Sequence, residues 1–306
     1  MARVWRGVVD RLKHSDRALQ LADRVGRAAG RWRPLDALTD PPLPRRPDLS
    51  AFESSPLACC WVGHATMLLR IDGRTILTDP VFSNRVGLTL GPMTVGPRRL
   101  VAPAIPLSRL PRVDVLAISH AHFDHLDLAS LRALRRRFPD VEVVAAAWTG
   151  DLLRDIPFRS VTELRVGETA SVAGVAWRAI AVNHWTPRVF CDTWRTACAY
   201  ELRRGGQRVL FCGDTAMTHS FDGLDPDLMC VGIGAYDPYV ASHATPEQAW
   251  SMATSAGARR VAAMHHSTFR LSVEPDNEPL RRFLEVAGDG RGRIAVRNVG
   301  DVWRAV

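Results

Sequence analysis

This 306-residue chain has one lysine, Lys13, and so carries nearly all of its positive charge on arginine. It has no run of about 18 apolar residues, so no membrane-spanning helix is expected. The N-terminus lacks an apolar core followed by a small-residue cleavage site, which argues against secretion. No CxxC pair occurs among Cys59, Cys60, Cys191, Cys198, Cys212 and Cys230. In a chain of this length they read as reduced core residues rather than a disulfide framework, and a cytoplasmic location is expected. Interleaved basic and aromatic residues are also missing, so no nucleic-acid partner is expected despite a net charge of +8. That charge fits an anionic lipid surface, and it equally fits an arginine-biased composition with no functional meaning.

The most informative stretch is Ile118-Ser119-His120-Ala121-His122-Phe123-Asp124-His125. It follows an apolar run from Val113 that reads as a buried strand. Titratable side chains gain nothing from packing at a strand end, so a metal is the natural explanation. His120 and His122, two apart, point the same way off an extended segment. Asp124 and His125 belong to the turn that follows and address a second point, which suggests two metal ions rather than one.

Residues 1–50 differ from the remainder. Val4, Val8, Leu12, Leu19, Ala22, Val25 and Ala29 recur at near-helical spacing among arginines, and a Pro-rich connector, residues 40–47, follows. This basic helix either docks on the main domain or lies peripherally on the inner face of an anionic membrane. Residues 51–306 form the second unit. Ala58–Ile71 and Thr75–Leu77 read as a hairpin around Asp72-Gly73, and Ala197–Leu202 and Arg208–Cys212 as another around Arg204-Gly205-Gly206. Residues 81–111 form a long apolar segment punctuated by Pro and Gly. Helices are expected at Leu128–Phe138 and Pro246–Ala256, and strands at Glu142–Ala147, Met229–Ile233 and Arg260–Met264. Two β-rich halves, each followed by helices, suggest an α/β sandwich of sheets with helices outside.

Other polar residues close apolar strands in the same way: His184 after Trp177–Val182, Asp214 after Val209–Gly213, and His265 after Val261–Met264. Strand C-termini gather along one sheet edge, where sites form. With the first loop they make five histidines and two aspartates.

In this order, His120-x-His122-x-Asp124-His125, His184, Asp214 and His265 resemble the metallo-β-lactamase superfamily. Trp61-Val-Gly-His-Ala-Thr66, Ile76-Leu-Thr-Asp-Pro-Val-Phe-Ser83, Gly213-Asp-Thr215 and Gly234-Ala-Tyr-Asp-Pro238 resemble its N-acylphosphatidylethanolamine-hydrolysing phospholipase D branch and the bacterial relatives of that branch. More distantly they resemble the ascorbate-6-phosphate lactonase group. The resemblance implies an αββα sandwich of two mixed sheets with helices on the outer faces.

It also implies one metal at His120, His122 and His184, a second at Asp124, His125 and His265, and Asp214 bridging both. Imidazole ligands suit zinc, with manganese or iron as alternatives. Asp79 matches a supporting carboxylate that fixes a ligand tautomer. His64 and His243 match histidines near the active site, and Asp124 or Asp214 would manage the proton. The implied reaction is attack of a metal-bridging hydroxide on a phosphodiester, with a lipid of the N-acylphosphatidylethanolamine type as substrate and residues 81–111 lining an acyl groove. A lactonase or small phosphoester hydrolase is the alternative. His266 departs from the family pattern and is expected on the opposite strand face from His265. Met217 and the residues after His184 also depart from the better-known phospholipases.

Overall fold

The computed structural model describes residues 41–305 apart from Gly91, Pro92 and Phe190. The expected N-terminal helix therefore lies outside the described residues. The Pro-rich stretch from Pro41 to Leu49 carries no regular element, as its ring-locked backbone dictates.

The first half of the chain runs β1 (Leu57–Gly63), β2 (Thr66–Ile71), β3 (Arg74–Thr78), a small hairpin of β4 (Leu88–Leu90) and β5 (Met93–Val95), β6 (Val115–Ile118), α1 (Leu128–Arg137), β7 (Glu142–Ala146) and β8 (Ser160–Leu164). The second half runs β9 (Thr169–Val172), β10 (Val175–Ile180), β11 (Ala199–Arg204), β12 (Gln207–Phe211), β13 (Leu228–Gly232), α2 (Pro246–Ser255), β14 (Arg260–Met264), α3 (Glu278–Ala287), β15 (Ile294–Val296) and β16 (Val302–Arg304). One sheet has the order β16-β1-β2-β3-β6-β7-β8 and the other β15-β14-β13-β12-β11-β10-β9. Each is mixed. The β1-β2-β3 and β9-β10-β11-β12 stretches are antiparallel, and β3-β6-β7-β8 and β12-β13-β14-β15 are parallel.

Why the strands read as unbroken apolar runs is clear from where alternate residues go. In β1, Leu57, Cys59 and Trp61 face the layer between the sheets, while Ala58, Cys60 and Val62 face the outer layer with Leu131 and Leu134 of α1. In β14, Ala262 and Met264 face inward, and Val261 and Ala263 pack outward with Met252 of α2 and Phe283 of α3. Strands covered on both faces need apolar residues at every position. The result is the four-layer αββα sandwich.

The helix starts follow from local chemistry. Asp127 caps α1 by accepting from Ala129 N, and it also receives the hydroxyls of Ser83 and Ser130 at 2.5 Å each. At α2, Thr245 and Gln248 form a reciprocal capping box ahead of Pro246.

Three expectations are corrected. Ala58–Ile71 is two strands, not one, because the chain reverses at His64-Ala65, pairing Gly63 with Thr66. His64 holds φ 55° there. His64 and Thr66 are buried here, and the reversal lacks the Asp-Gly or Gly-Gly pair of the other two hairpins, so no turn signal marks it. His184 stands beyond β10 in the connection to β11 rather than at a strand end. His266 avoids its neighbour's side for a different reason from strand alternation. The strand ends at Met264, His265 takes φ 62°, and the His266 ring packs on Trp61 with centroids 4.6 Å apart. Asp72-Gly73 (φ 39° and 83°) and Gly205-Gly206 (φ 55° and 76°) do form two-residue turns. Residues 81–111 contain the β4–β5 hairpin, which leaves Leu88 and Val95 exposed, while Val81 and Val86 pack against Phe269. Among the described residues no helix is long and apolar enough to cross a membrane. All six cysteines are free and five are buried, Cys191 being exposed.

Candidate metal centre

The loop after β6 delivers its side chains to the edge between the sheets. His120 Nε2 lies 2.9 Å from His122 Nδ1, which lies 3.1 Å from His184 Nε2. Three nitrogens at tetrahedral positions around one zinc ion would stand roughly 3.3 Å apart, so these are close to ligand spacing. A second group gathers His64, Asp124, His125 and His265, with ligand atoms all within 4.8 Å of one another. Asp124 Oδ2 stands 3.5 Å from His125 Nε2 and 3.6 Å from His265 Nε2.

Asp214 joins the two groups. Its Oδ2 is 3.1 Å from His125 Nε2 and 3.2 Å from His265 Nε2 on one side. On the other it is 3.9 Å from His120 Nε2 and 3.8 Å from His184 Nε2. His243 Nδ1 is also 3.8 Å away. The carboxylate reaches this point because Gly213 turns the chain at φ 57° just after β12. A Cβ on Gly213 would meet the Ser119 side chain at 2.7 Å, so only glycine permits the turn against the ligand loop.

The ring orientations are held from behind. Asp79 Oδ2 faces His125 Nδ1 at 2.6 Å and accepts from the Ser119 hydroxyl at 2.6 Å, and Asp79 Oδ1 accepts from Ser119 N. The Ser119 hydroxyl also lies 2.9 Å from His120 Nδ1. His184 Nδ1 faces the carbonyl of Ser242 at 2.9 Å. Each contact occupies one ring nitrogen and leaves the other turned into the cluster, the usual arrangement behind a metal ligand. His64 Nε2 contacts Asp124 Oδ2 at 2.8 Å.

Two observations test whether a cation fits. First, buried atoms turned into the centre form no hydrogen bond among the described residues: His125 Nε2, His265 Nε2 and Asp214 Oδ1. So many unpartnered buried polar atoms are costly without a ligand. Second, the electrostatics recruit positive charge. Burial pushes His120 well below the usual imidazole range, takes His122 down to about 3, and lowers His184. These rings are neutral and offer lone pairs. At His125 and His265 burial acts the same way, but the carboxylates led by Asp214 outweigh it, raising His125 strongly and His265 to about 9. For Asp124 and Asp214 burial opposes ionisation, and the neighbouring imidazoles led by His125 overcome it. The carboxylate field that raises His125 and His265 would equally stabilise a cation between them. The donor set fits two metal ions.

All the predicted ligands thus converge, and Asp79, His64 and His243 lie against them. His64 and His243 come closer than expected: each falls within ligand spacing of a cluster, His64 with Asp124, His125 and His265, and His243 with His184 and Asp214. Sequence reasoning missed Ser119 and the Ser242 carbonyl, which act through hydrogen bonds that no residue spacing encodes. It also missed Trp185, half exposed with its ring 5.7 Å from His122, and Arg188, described below.

The comparisons with known proteins agree with this geometry. A family model described as a beta-lactamase superfamily domain matches residues 74–266. An uncharacterised protein of Mycobacterium tuberculosis is 33% identical over 269 residues, 83% of this chain and 71% of that protein. The N-acyl-phosphatidylethanolamine-hydrolyzing phospholipase D 1 of Caenorhabditis elegans is 26% identical over 277 residues, 82% of this chain and 76% of that one. Among solved structures, Igni18, a metallo hydrolase from Ignicoccus hospitalis, superposes with a TM-score of 0.62 at 19% identity, over 82% of this chain and 98% of that chain. The chain belongs to the metallo-β-lactamase superfamily. Its clustered imidazoles and carboxylates are those of a metal-dependent hydrolase with a binuclear centre.

Proposed function

We propose that the protein is a zinc-dependent phosphodiesterase of the phospholipase D type, acting on N-acylphosphatidylethanolamine-like lipids. The observation that carries the hydrolytic part is Asp214 Oδ2, set between imidazoles of both clusters. The lipid part is supported by the likeness to the nematode phospholipase. In this reading His120, His122 and His184 would hold one ion and Asp124, His125 and His265 the other, with Asp214 available to both. Bound ions supply Lewis acidity and a source of hydroxide at neutral pH.

The protein's own groups do the remainder. Asp79 and Ser119 keep the His125 and His120 rings turned so that their lone pairs face inward. His64, through its 2.8 Å contact, fixes which way the Asp124 carboxylate points and so where it can take up a proton. The His243 side chain is 16% accessible, against 0 to 1% for His120, His125, His184 and His265. Burial holds it well below the usual range, so it acts as a neutral N–H donor to the leaving oxygen rather than as an imidazolium acid. The same reading assigns the protein to the cytoplasm, with the basic N-terminal residues contacting the inner membrane face.

The test is to incubate zinc-loaded protein with vesicles containing N-acylphosphatidylethanolamine and to follow phosphatidic acid by mass spectrometry. Zinc-dependent release is expected. Turnover confined to lactones or water-soluble phosphoesters would overturn the lipid substrate and leave the metallohydrolase.

A further inference from the structure

Arg188 stands four residues beyond His184, in the connection between β10 and β11. Its Nη1 donates to the carbonyl oxygens of Ala121, at 2.6 Å, and Leu126, at 2.9 Å. Ala121 lies between the first two histidines of the ligand loop, and Leu126 follows the last. One nitrogen therefore grips that loop at both ends. The guanidinium carbon lies 4.0 Å from the centroid of Phe123, in the middle of the same loop, which adds a cation–π contact.

The grip is itself anchored. Asp192 Oδ1 accepts from Val189 N at 2.8 Å, next to Arg188, and the Asp192 carboxylate pairs with Arg195. Arg195 makes a two-pronged contact with Asp151 at 2.8 and 3.0 Å and donates to the carbonyl of Trp148 at 2.5 Å. Thr196 donates to the carbonyl of Ala147 at 2.8 Å. The segment carrying His184 and Arg188 is thus fastened to the chain just beyond β7, beside the strand that launches the ligand loop. A guanidinium suits this task, because its fixed fork addresses two acceptors without losing charge.

We infer that Arg188 is a positioning residue that holds the loop His120–His125 in register with His184, through its hydrogen bonds to the carbonyls of Ala121 and Leu126. The contact it sets is the 3.1 Å approach of His184 to His122, between ligands donated by the two halves of the chain. This rests on the reading that these side chains hold two metal ions. It separates Arg188 from a substrate-binding role, in which its guanidinium would meet an anionic group and leave metal binding untouched.

The experiment titrates metal-free protein with zinc against a competing chelator, for the native chain, Arg188→Met and Arg188→Lys. Methionine keeps the stem packed beside Phe123 and removes every donor. Arg188→Met is expected to bind zinc about 10- to 100-fold more weakly, the range seen when support behind a metal ligand is lost. Arg188→Lys, which retains a donor, falls in between. Where Arg188→Met does not fold, Arg188→Leu, which also lacks any donor, is titrated in its place with the same outcomes. Native zinc affinity in the methionine variant overturns the inference, and a raised KM beside that affinity assigns Arg188 to substrate instead. Fewer than two zinc ions per native chain overturns the metal-centre reading itself, and this inference with it.

Discussion

The two halves of the molecule reach the same edge of the sandwich with comparable sheets but deliver their ligands differently. The first half supplies His120, His122, Asp124 and His125 from one loop after β6, backed by side chains: Asp79 beyond β3 and Ser119 within the loop. The second half supplies His184, Asp214 and His265 singly, from three separate connections. There the backing comes largely from the backbone, as in the Ser242 carbonyl on His184. Thr215 ties two of these connections together, its hydroxyl accepting from Asn183 N at 3.0 Å and donating to Ala216 O at 2.8 Å. The first arrangement is local in sequence, and the second is a convergence that exists only once the sheet has formed.

The hardest test of this comparison is Asp214→Asn, because Asp214 faces imidazoles of both clusters, at 3.1 and 3.2 Å on one side and 3.8 and 3.9 Å on the other. It is expected to reduce hydrolysis by more than about 100-fold and metal content below two ions per chain, since a shared anionic ligand is lost. Elemental analysis with a turnover assay reads both. Undiminished turnover would remove Asp214 from the centre.

A smaller effect sharpens the difference between halves. Asp79→Asn takes the charge from behind His125 and is expected to weaken zinc affinity about 10- to 100-fold. Thr215→Val acts on the second half, where the backbone supports remain, and is expected to cost less affinity. Equal losses in a chelator competition would erase the distinction drawn here. The smallest effect is on stability. Buried Thr66 donates to the Asp79 carbonyl at 2.7 Å and accepts from Val81 N at 3.1 Å. Thr66→Val leaves both groups unpaired and should cost about 1–3 kcal/mol, seen as a lower midpoint in denaturant with an unchanged slope.

The legibility of each half follows from the same distinction. His120 to His125 could be read directly, because they lie within six residues on one loop and are brought near one another by chain connectivity alone. His184, Asp214 and His265 were marked only by their recurrence after apolar runs and by order within a family pattern. Arg188 left no mark, because its acceptors are carbonyls 62 and 67 residues away in sequence. The reversal at His64-Ala65 lacks the Asp-Gly or Gly-Gly pair of the other two hairpins, and its polar residues His64 and Thr66 are buried rather than exposed as turn residues usually are. The pairing of β16 with β1, which joins the last described strand to the first, is likewise a contact between segments far apart in sequence that no local pattern predicts.

By itself, then, the sequence determined the strand-rich halves, the turns at Asp72-Gly73 and Gly205-Gly206, and a metal-ligating loop, because alternation, turn chemistry and ligand spacing act over a few residues. Only the tertiary structure decided that Asp214 lies between the two clusters, that His64 and His243 stand within ligand spacing, and that Arg188 joins the loops. Those relations depend on how two sheets stack and where their strand ends meet.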